Sequence, residues 1–249
     1  VTGVPTGVNL YFRVAAENSI GTGSYSSSVG PVKAFGAPAA PTGLFATVNA
    51  NGTISLNWNA PNNNGDSAIT DYVVEYRKSS EQNWNVYQDG STAISNTVVT
   101  LPRVDGPYEF RVKASNSIGT GPASTVSATV LPLAKPSAVQ NLNAVAGNQF
   151  ITATWSAPSD NGGASVTDYI IEYKATTQSN WTLVNDGTGT LTSVTVTGLT
   201  NGGNYQVRVR AVNSVDESND AVSNIVTPVT NPGVPAALNV SADNQRATL

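Results

Sequence analysis

The sequence predicts an all-β fold of tandem antiparallel sandwiches. Polar and apolar residues alternate at a period of two, as strands with one buried face require. Clusters of Asn, Asp, Gly and Pro break these runs at short intervals. The same landmarks return 97 residues later, so the pattern is a repeat of one unit.

Within the first whole unit, Thr53-Ile54-Ser55-Leu56-Asn57-Trp58 alternates cleanly and reads as a strand. Pro61-Asn62-Asn63-Asn64-Gly65-Asp66 then reads as a turn, since Asn and Gly tolerate positive φ. In Asp71-Tyr72-Val73-Val74-Glu75-Tyr76-Arg77, Tyr72, Val74 and Tyr76 share one face; Val73, Glu75 and Arg77 share the other. Asp89-Gly90 and Asp105-Gly106-Pro107 mark further turns. The run Tyr108 to Asn116 ends at Gly119-Thr120-Gly121-Pro122. Thr192 to Thr197 and Tyr205 to Arg210 alternate in the same way in the second copy. Roughly seven short strands per unit predict an antiparallel sandwich, and no helix is expected.

The repeat sets the boundaries. Trp58, Tyr72 and Trp84 recur as Trp155, Tyr169 and Trp181. Tyr108-Glu109-Phe110-Arg111-Val112-Lys113-Ala114-Ser115-Asn116 recurs as Tyr205-Gln206-Val207-Arg208-Val209-Arg210-Ala211-Val212-Asn213 and, near the start, as Leu10 to Asn18. A Pro six residues before a Leu appears at Pro38/Leu44, Pro136/Leu142 and Pro232/Leu238. Residues 37–133 and 134–230 are therefore read as whole units, 1–36 as the back end of another, and 231–249 as the front end of a fourth. On this reading the chain begins and ends inside domains.

These motifs resemble the fibronectin type III domain. The Pro-x5-Leu entry, Trp58-Asn59-Ala60-Pro61 with Trp155-Ser156-Ala157-Pro158, and the Tyr-x-Val-x-Tyr strand carry the likeness. So do Leu101 ahead of Tyr108, Leu199 ahead of Tyr205, and the Arg-Val-x-Ala-x-Asn strand. The Asn-rich loops at Asn64-Gly65 and Asn161-Gly162-Gly163 look similar to bacterial or phage versions of the family. The resemblance implies immunoglobulin-like Greek-key sandwiches of seven strands each, needing no disulfide between sheets; short joins between them are expected to line them up as an extended rod. It implies Trp58 and Trp155 between the sheets, and Tyr108 and Tyr205 in a tyrosine corner. Leu10 stands at the corner position of the first fragment, which departs from the pattern.

Composition removes several chemistries. The 249 residues contain no Cys, His or Met, so no disulfide, thiolate nucleophile, imidazole base or Cys/His metal ligand is available. Charged residues are 11%, against about 25% in an ordinary soluble domain. Ser, Thr and Asn fill the gap, and a hydrophobic fraction of 39% suffices for packed cores. A net charge of −4 without a Lys/Arg run gives no nucleic-acid footprint. No apolar run is long enough to span a membrane.

The polar clusters are each explained by the unit itself. Asp71, Glu75 and Asp89 recur as Asp168, Glu172 and Asp186, whereas a glycosidase pair is built once, in a cleft. Asn62 to Asp66 and Ser159 to Gly163 offer oxygens for calcium, but a turn uses the same residues. The loops Ser19 to Gly23, Ser117 to Pro122 and Ser214 to Asp220 lack the Arg-Gly-Asp that animal members of the family display there for integrins. The third is acidic, which reads as a solvated loop ahead of a partner contact. Trp84 and Trp181 are candidates for stacking on sugars, and Asn51, Asn180 and Asn239 head glycosylation sequons. The expectation is no catalytic, cofactor-binding or metal-binding residue and no cofactor; the chain is not expected to be an enzyme.

Function is then read from architecture. The joins Val130-Leu131-Pro132-Leu133-Ala134-Lys135-Pro136 and Thr227 to Pro232 are short and proline-bearing, which favours semi-rigid connection. The reading is a non-catalytic extracellular structural or adhesive region: a stalk, spacer or filament, secreted or at the cell surface. Expected partners are protein or carbohydrate surface ligands and further copies in a filament, with no nucleic acid. The alternatives are an accessory region of a secreted polysaccharide-degrading enzyme and a phage virion fibre or decoration module.

Overall fold

Alternation at a period of two becomes a pair of sheets in each repeat. A computed structural model describes residues 2–230, 232–234, 241–243 and 246–248. Two units separate, Val1–Ala134 and Lys135–Leu249.

In the first unit, β1 (Asn9–Phe12), β2 (Glu17–Asn18), β3 (Gly21–Thr22) and β4 (Val29–Lys33) precede a sandwich. The sandwich comprises β5 (Thr42–Val48), β6 (Ile54–Asn59), β7 (Ile69–Lys78), β8 (Asn85–Val86), β9 (Asn96–Val99), β10 (Tyr108–Asn116) and β11 (Thr120–Ala123). One sheet has the order β5-β6-β9 and the other β11-β10-β7-β8. The second unit repeats this with β12 (Gln140–Ala146), β13 (Phe150–Ser156), β14 (Asp168–Ala175), β15 (Thr182–Leu183), β16 (Ser193–Thr197), β17 (Tyr205–Val212) and β18 (Ala221–Val222). Its sheets run β12-β13-β16 and β15-β14-β17-β18. Each sandwich thus has the three-plus-four arrangement of seven antiparallel strands that the sequence predicts. A hairpin of β19 (Ser241–Asp243) and β20 (Arg246–Thr248) follows; Leu238 and Asn239 lie outside the described residues.

Each sandwich closes on its own core. Ile54, Leu56 and Trp58 of β6 meet Tyr72 and Val74 of β7 and Phe110, Val112 and Ala114 of β10. Ile151, Ala153 and Trp155 meet Tyr169, Ile171, Val207 and Val209 in the second. Trp58 packs edge-on to Tyr72 at 5.3 Å between ring centroids, and Trp155 to Tyr169 at 5.4 Å.

The final strand of each sandwich is held by serines rather than by a full ladder. The Ser124 N–H donates to Val112 O (2.8 Å) while its Oγ accepts the Val112 N–H (3.1 Å). Ser127 makes the same exchange with Phe110. In the second unit Ser218 exchanges with Ala211 and Ser223 with Val207. Ser26 makes it with Val14 near the start of the chain, where β1 pairs with β4. Residues 2–36 thus carry the same serine exchange as the two sandwiches. Their apolar side chains Tyr11, Val14 and Val29 are exposed.

One short helical turn departs from the expectation of none. The 3-10 turn Arg103–Asp105 is bracketed by Pro102 and Gly106-Pro107, which limit it to three residues. It positions the Pro102 carbonyl to accept the Tyr108 hydroxyl at 2.9 Å, forming the first tyrosine corner. The second corner has reversed polarity: the Tyr205 hydroxyl accepts the Thr200 N–H at 3.1 Å. Tyr108→Phe and Tyr205→Phe should each cost about 1 kcal/mol, the usual net contribution of one hydrogen bond. Thermal melts check this, and no loss in either variant would remove the corner as a stabilising contact.

Candidate functional site

The loop between the second and third strands of each sandwich is folded by its own side chains. Asn63 Oδ1 accepts the Gly65 N–H (2.8 Å) and Asn64 Oδ1 accepts the Asp66 N–H (3.0 Å). Gly65 and Asp66 both have positive φ, at 72° and 60°. In the second copy Asp160 Oδ1 accepts the Gly162 N–H and Asn161 Oδ1 the Gly163 N–H. These are Asx turns, and they occupy oxygens that the sequence offered to calcium.

Around this loop lies a seat for the chain entering the sandwich. Asn116, at the end of β10, is 7% exposed. Its Nδ2 donates to Gly36 O and Asn64 O, both at 2.8 Å. Its Oδ1 accepts the N–H groups of Ile118 (2.9 Å) and Gly119 (3.1 Å). One amide thus ties together the incoming linker, the Asn-rich loop and the turn after β10, using both its donors and its acceptor. The Gly36 N–H donates to Gly65 O (3.0 Å), and the Ala39 N–H to Asn63 O (2.9 Å). Gly65 and Gly121 make the seat wide enough. A Cβ on Gly65 would stand 2.0 Å from Gly36 O, and one on Gly121 2.0 Å from Pro38 O. Upstream of the linker, Asn63 Nδ2 donates to Thr6 O (3.3 Å) and Lys33 pairs with Asp66 (2.9 Å).

Parts of the seat recur. Asn213 Nδ2 donates to Asn161 O (2.8 Å), and its Oδ1 accepts from Val215 and Asp216. The Ser137 N–H donates to Asp160 O (2.8 Å), matching Ala39 with Asn63. Asn18 Oδ1 likewise accepts from Ile20 and Gly21. In the sequence this Asn stands out only as a strand landmark. Its presence at the same place in three copies was the signal that it does a job.

The outer face of the four-stranded sheet carries the charges. Glu75 points away from the core yet is only 7% exposed, because Arg111 and Lys113 (2.7 Å) cover it. Glu172 pairs with Arg208 (2.6 Å) and Arg210 (3.1 Å). The acidic loop of the second copy serves this face: Asp220 reaches Arg208 (3.1 Å) and Glu217 reaches Arg210 (3.3 Å). Arg77 and Arg111 lie over the Trp84 ring at 4.6 and 4.4 Å, and Lys174 and Arg208 over Trp181 at 4.8 and 4.7 Å. These rings stack on cations of their own sheet, which limits the face left for a sugar.

The repeated aspartates are structural as well. Asp71 Oδ1 accepts the Thr92 N–H and Asp168 Oδ1 the Gly189 N–H, both at 2.9 Å. Each borders a shallow cleft, of about 130 Å³ in the first copy and 280 Å³ in the second. Among the described residues no three acidic side chains form a group that could hold a metal ion. Asn51 Oδ1 accepts from Thr53 Oγ1 within its own sequon (2.8 Å).

Ion pairing sets the acid response. Burial alone drives the Glu75 carboxyl up, but hydrogen bonds and charges from Lys113 and Arg111 outweigh it and hold it below the usual value. Glu172 is lowered chiefly by its hydrogen bond from Arg208, against burial and with the charges of Arg208 and Arg210. A carboxyl lowered on folding stabilises above its unfolded value, about 4.3, and that stabilisation is lost as pH falls through the folded value. The melting temperature of the second unit should therefore fall below about pH 4. Glu172→Gln should lower it at pH 7 and flatten the acid limb. An unchanged limb in calorimetry would show that this pair does not govern it.

Comparison with known proteins agrees with the fold. The fibronectin type III domain family matches residues 39–130 and 136–224. The striated-muscle M-protein of Gallus gallus is 30% identical over 224 residues, covering 86% of this chain and 15% of its own length. Titin of Drosophila melanogaster is 31% identical over 223 residues, 87% of this chain and 1% of its own. The cardiac-type myosin-binding protein C of Gallus gallus is 25% identical over 221 residues, with 88% and 17% covered. A crystal structure of chicken CNTN1 FN1-FN3 domains aligns over 83% of this chain and 72% of that chain, with TM-score 0.38 and 22% identity. The chain spans less than a fifth of these muscle relatives. They are proteins of the muscle cell interior, which overturns the expected extracellular, cell-surface or virion location. The likeness to large repeat proteins supports a structural repeat region, and domains of this kind are non-catalytic in general. No helix among the described residues is long and apolar enough to cross a membrane. The chain belongs to the fibronectin type III family and carries its domain in tandem.

Proposed function

We propose that this chain is a non-catalytic spacer region of a longer structural repeat protein. The observation that carries the reading is the duplication of a closed core. Each sandwich has its own Trp, its own Tyr corner and its own serine-held last strand. A unit built this way supplies length and surface without any single cleft. Residues 37–133 and 134–230 are the whole domains; 1–36 and 231–249 belong to further ones. The Asn18 turn and the Ser26 exchange support the assignment of 1–36, since both recur in the whole domains.

The joins between repeats are short and proline-bearing, which favours semi-rigid connection. Proteins are the favoured partners, because one relative is named for binding myosin. The charged outer sheet faces supply the surface for such contacts.

Mechanical unfolding tests the reading. Each sandwich of about 97 residues, at roughly 3.3–3.6 Å per extended residue, should release about 300 Å of chain. Pulling on the full chain should give two separate events of that size. One combined rupture would sink the idea of independent spacer units.

A further inference from the structure

We propose that the Asn-rich loop end of the first sandwich is a docking surface whose occupant is the end of the preceding repeat, and that Asn116 locks this joint. The inference deepens the spacer reading by naming the element that makes a join stiff. It concerns the join before residue 37, where both sides of the contact are described.

The residues favour a built joint over a tether. A flexible linker leaves its backbone groups to water, whereas Gly36 has its N–H on Gly65 O and its carbonyl on Asn116 Nδ2. Pro38 and Pro41 are among the fully buried residues. The linker passes where only glycine fits, at Gly65 and Gly121. The contact continues past the linker, since Thr6 and Lys33 belong to the preceding repeat.

The contacts differ in weight. Lys33 and Asp66 are 44% and 29% exposed at the side chain, and such surface pairs contribute little. The Asn116 amide is buried, so its donors cannot turn to water without opening the joint. Gly121 bears on the first residues of the sandwich, directly after the joint. It has no positive φ to strain, so a methyl group there acts only by pushing Pro38 away.

The experiment uses the full chain. Since it contains no Cys, Ser27→Cys and Gln82→Cys can carry a single pair of spin labels, one on each side of the join. The unsubstituted joint should give one narrow distance distribution, and trypsin should cut after Lys33 slowly. Asn116→Asp keeps a side-chain oxygen for Ile118 and Gly119 but removes the donors; it should broaden the distribution and speed the cut about tenfold, as loss of buried hydrogen bonds would. Gly121→Ala should do the same with the turn intact, and Asp66→Asn should change little. A broad distribution in the unsubstituted chain overturns the proposal. So does a narrow one that survives Gly121→Ala. Because the mechanical unfolding pattern does not depend on joint stiffness, the spacer reading can stand if this joint proves loose.

Discussion

Strict alternation along the paired central strands, β7 with β10 and β14 with β17, constrains everything else in these sandwiches. The β7–β10 ladder runs from Tyr108 opposite Lys78 to Asn116 opposite Ile69, with a bulge only before its last residue. One face of that ladder supplies Tyr72, Val74, Phe110 and Val112 to the core. The other face brings Glu75 beside Arg111 and Lys113 and Arg77 beside Glu109, since directly opposite and diagonal positions lie within reach. A one-residue slip would exchange these sets and bury the charges. Register, core and surface charge are therefore one constraint, met in both copies.

The three-stranded sheets show its converse. Strands β5, β6 and β9 carry no charged residue, and neither do β12, β13 and β16. Their outward positions are Ser, Thr and Asn with a few apolar residues such as Phe45, Val98 and Val145. Within each sandwich the charge is thus unevenly distributed, with the strand charges on the four-stranded sheet. Acidic loop residues such as Glu217 and Asp220 are drawn to that charged side.

Much of this was legible in the sequence, because it follows from local periodicity. The strands around Trp58, Tyr72, Tyr108 and their copies, and the separation into repeats, all rest on period two and a fixed spacing. The functional surfaces were less legible, because they depend on long-range pairing. Nothing local shows that Trp84 stacks on Arg111, that Glu217 answers Arg210, or that Asn116 meets Gly36, 80 residues earlier. The location was misread for another reason: missing Cys and His show which chemistry a module lacks, and say nothing of the compartment it occupies.

The central claim is that each sandwich is stabilised locally, by a core it does not share. Truncating Trp58 to Ala removes the largest side chain of the first core and should cost that unit about 3–5 kcal/mol. Scanning calorimetry of the full chain with this one substitution tests the claim most directly. The account predicts that one unfolding transition moves down while the transition of the Trp155 core stays in place. A joint shift of both transitions, or a single cooperative transition lowered as a whole, would contradict it.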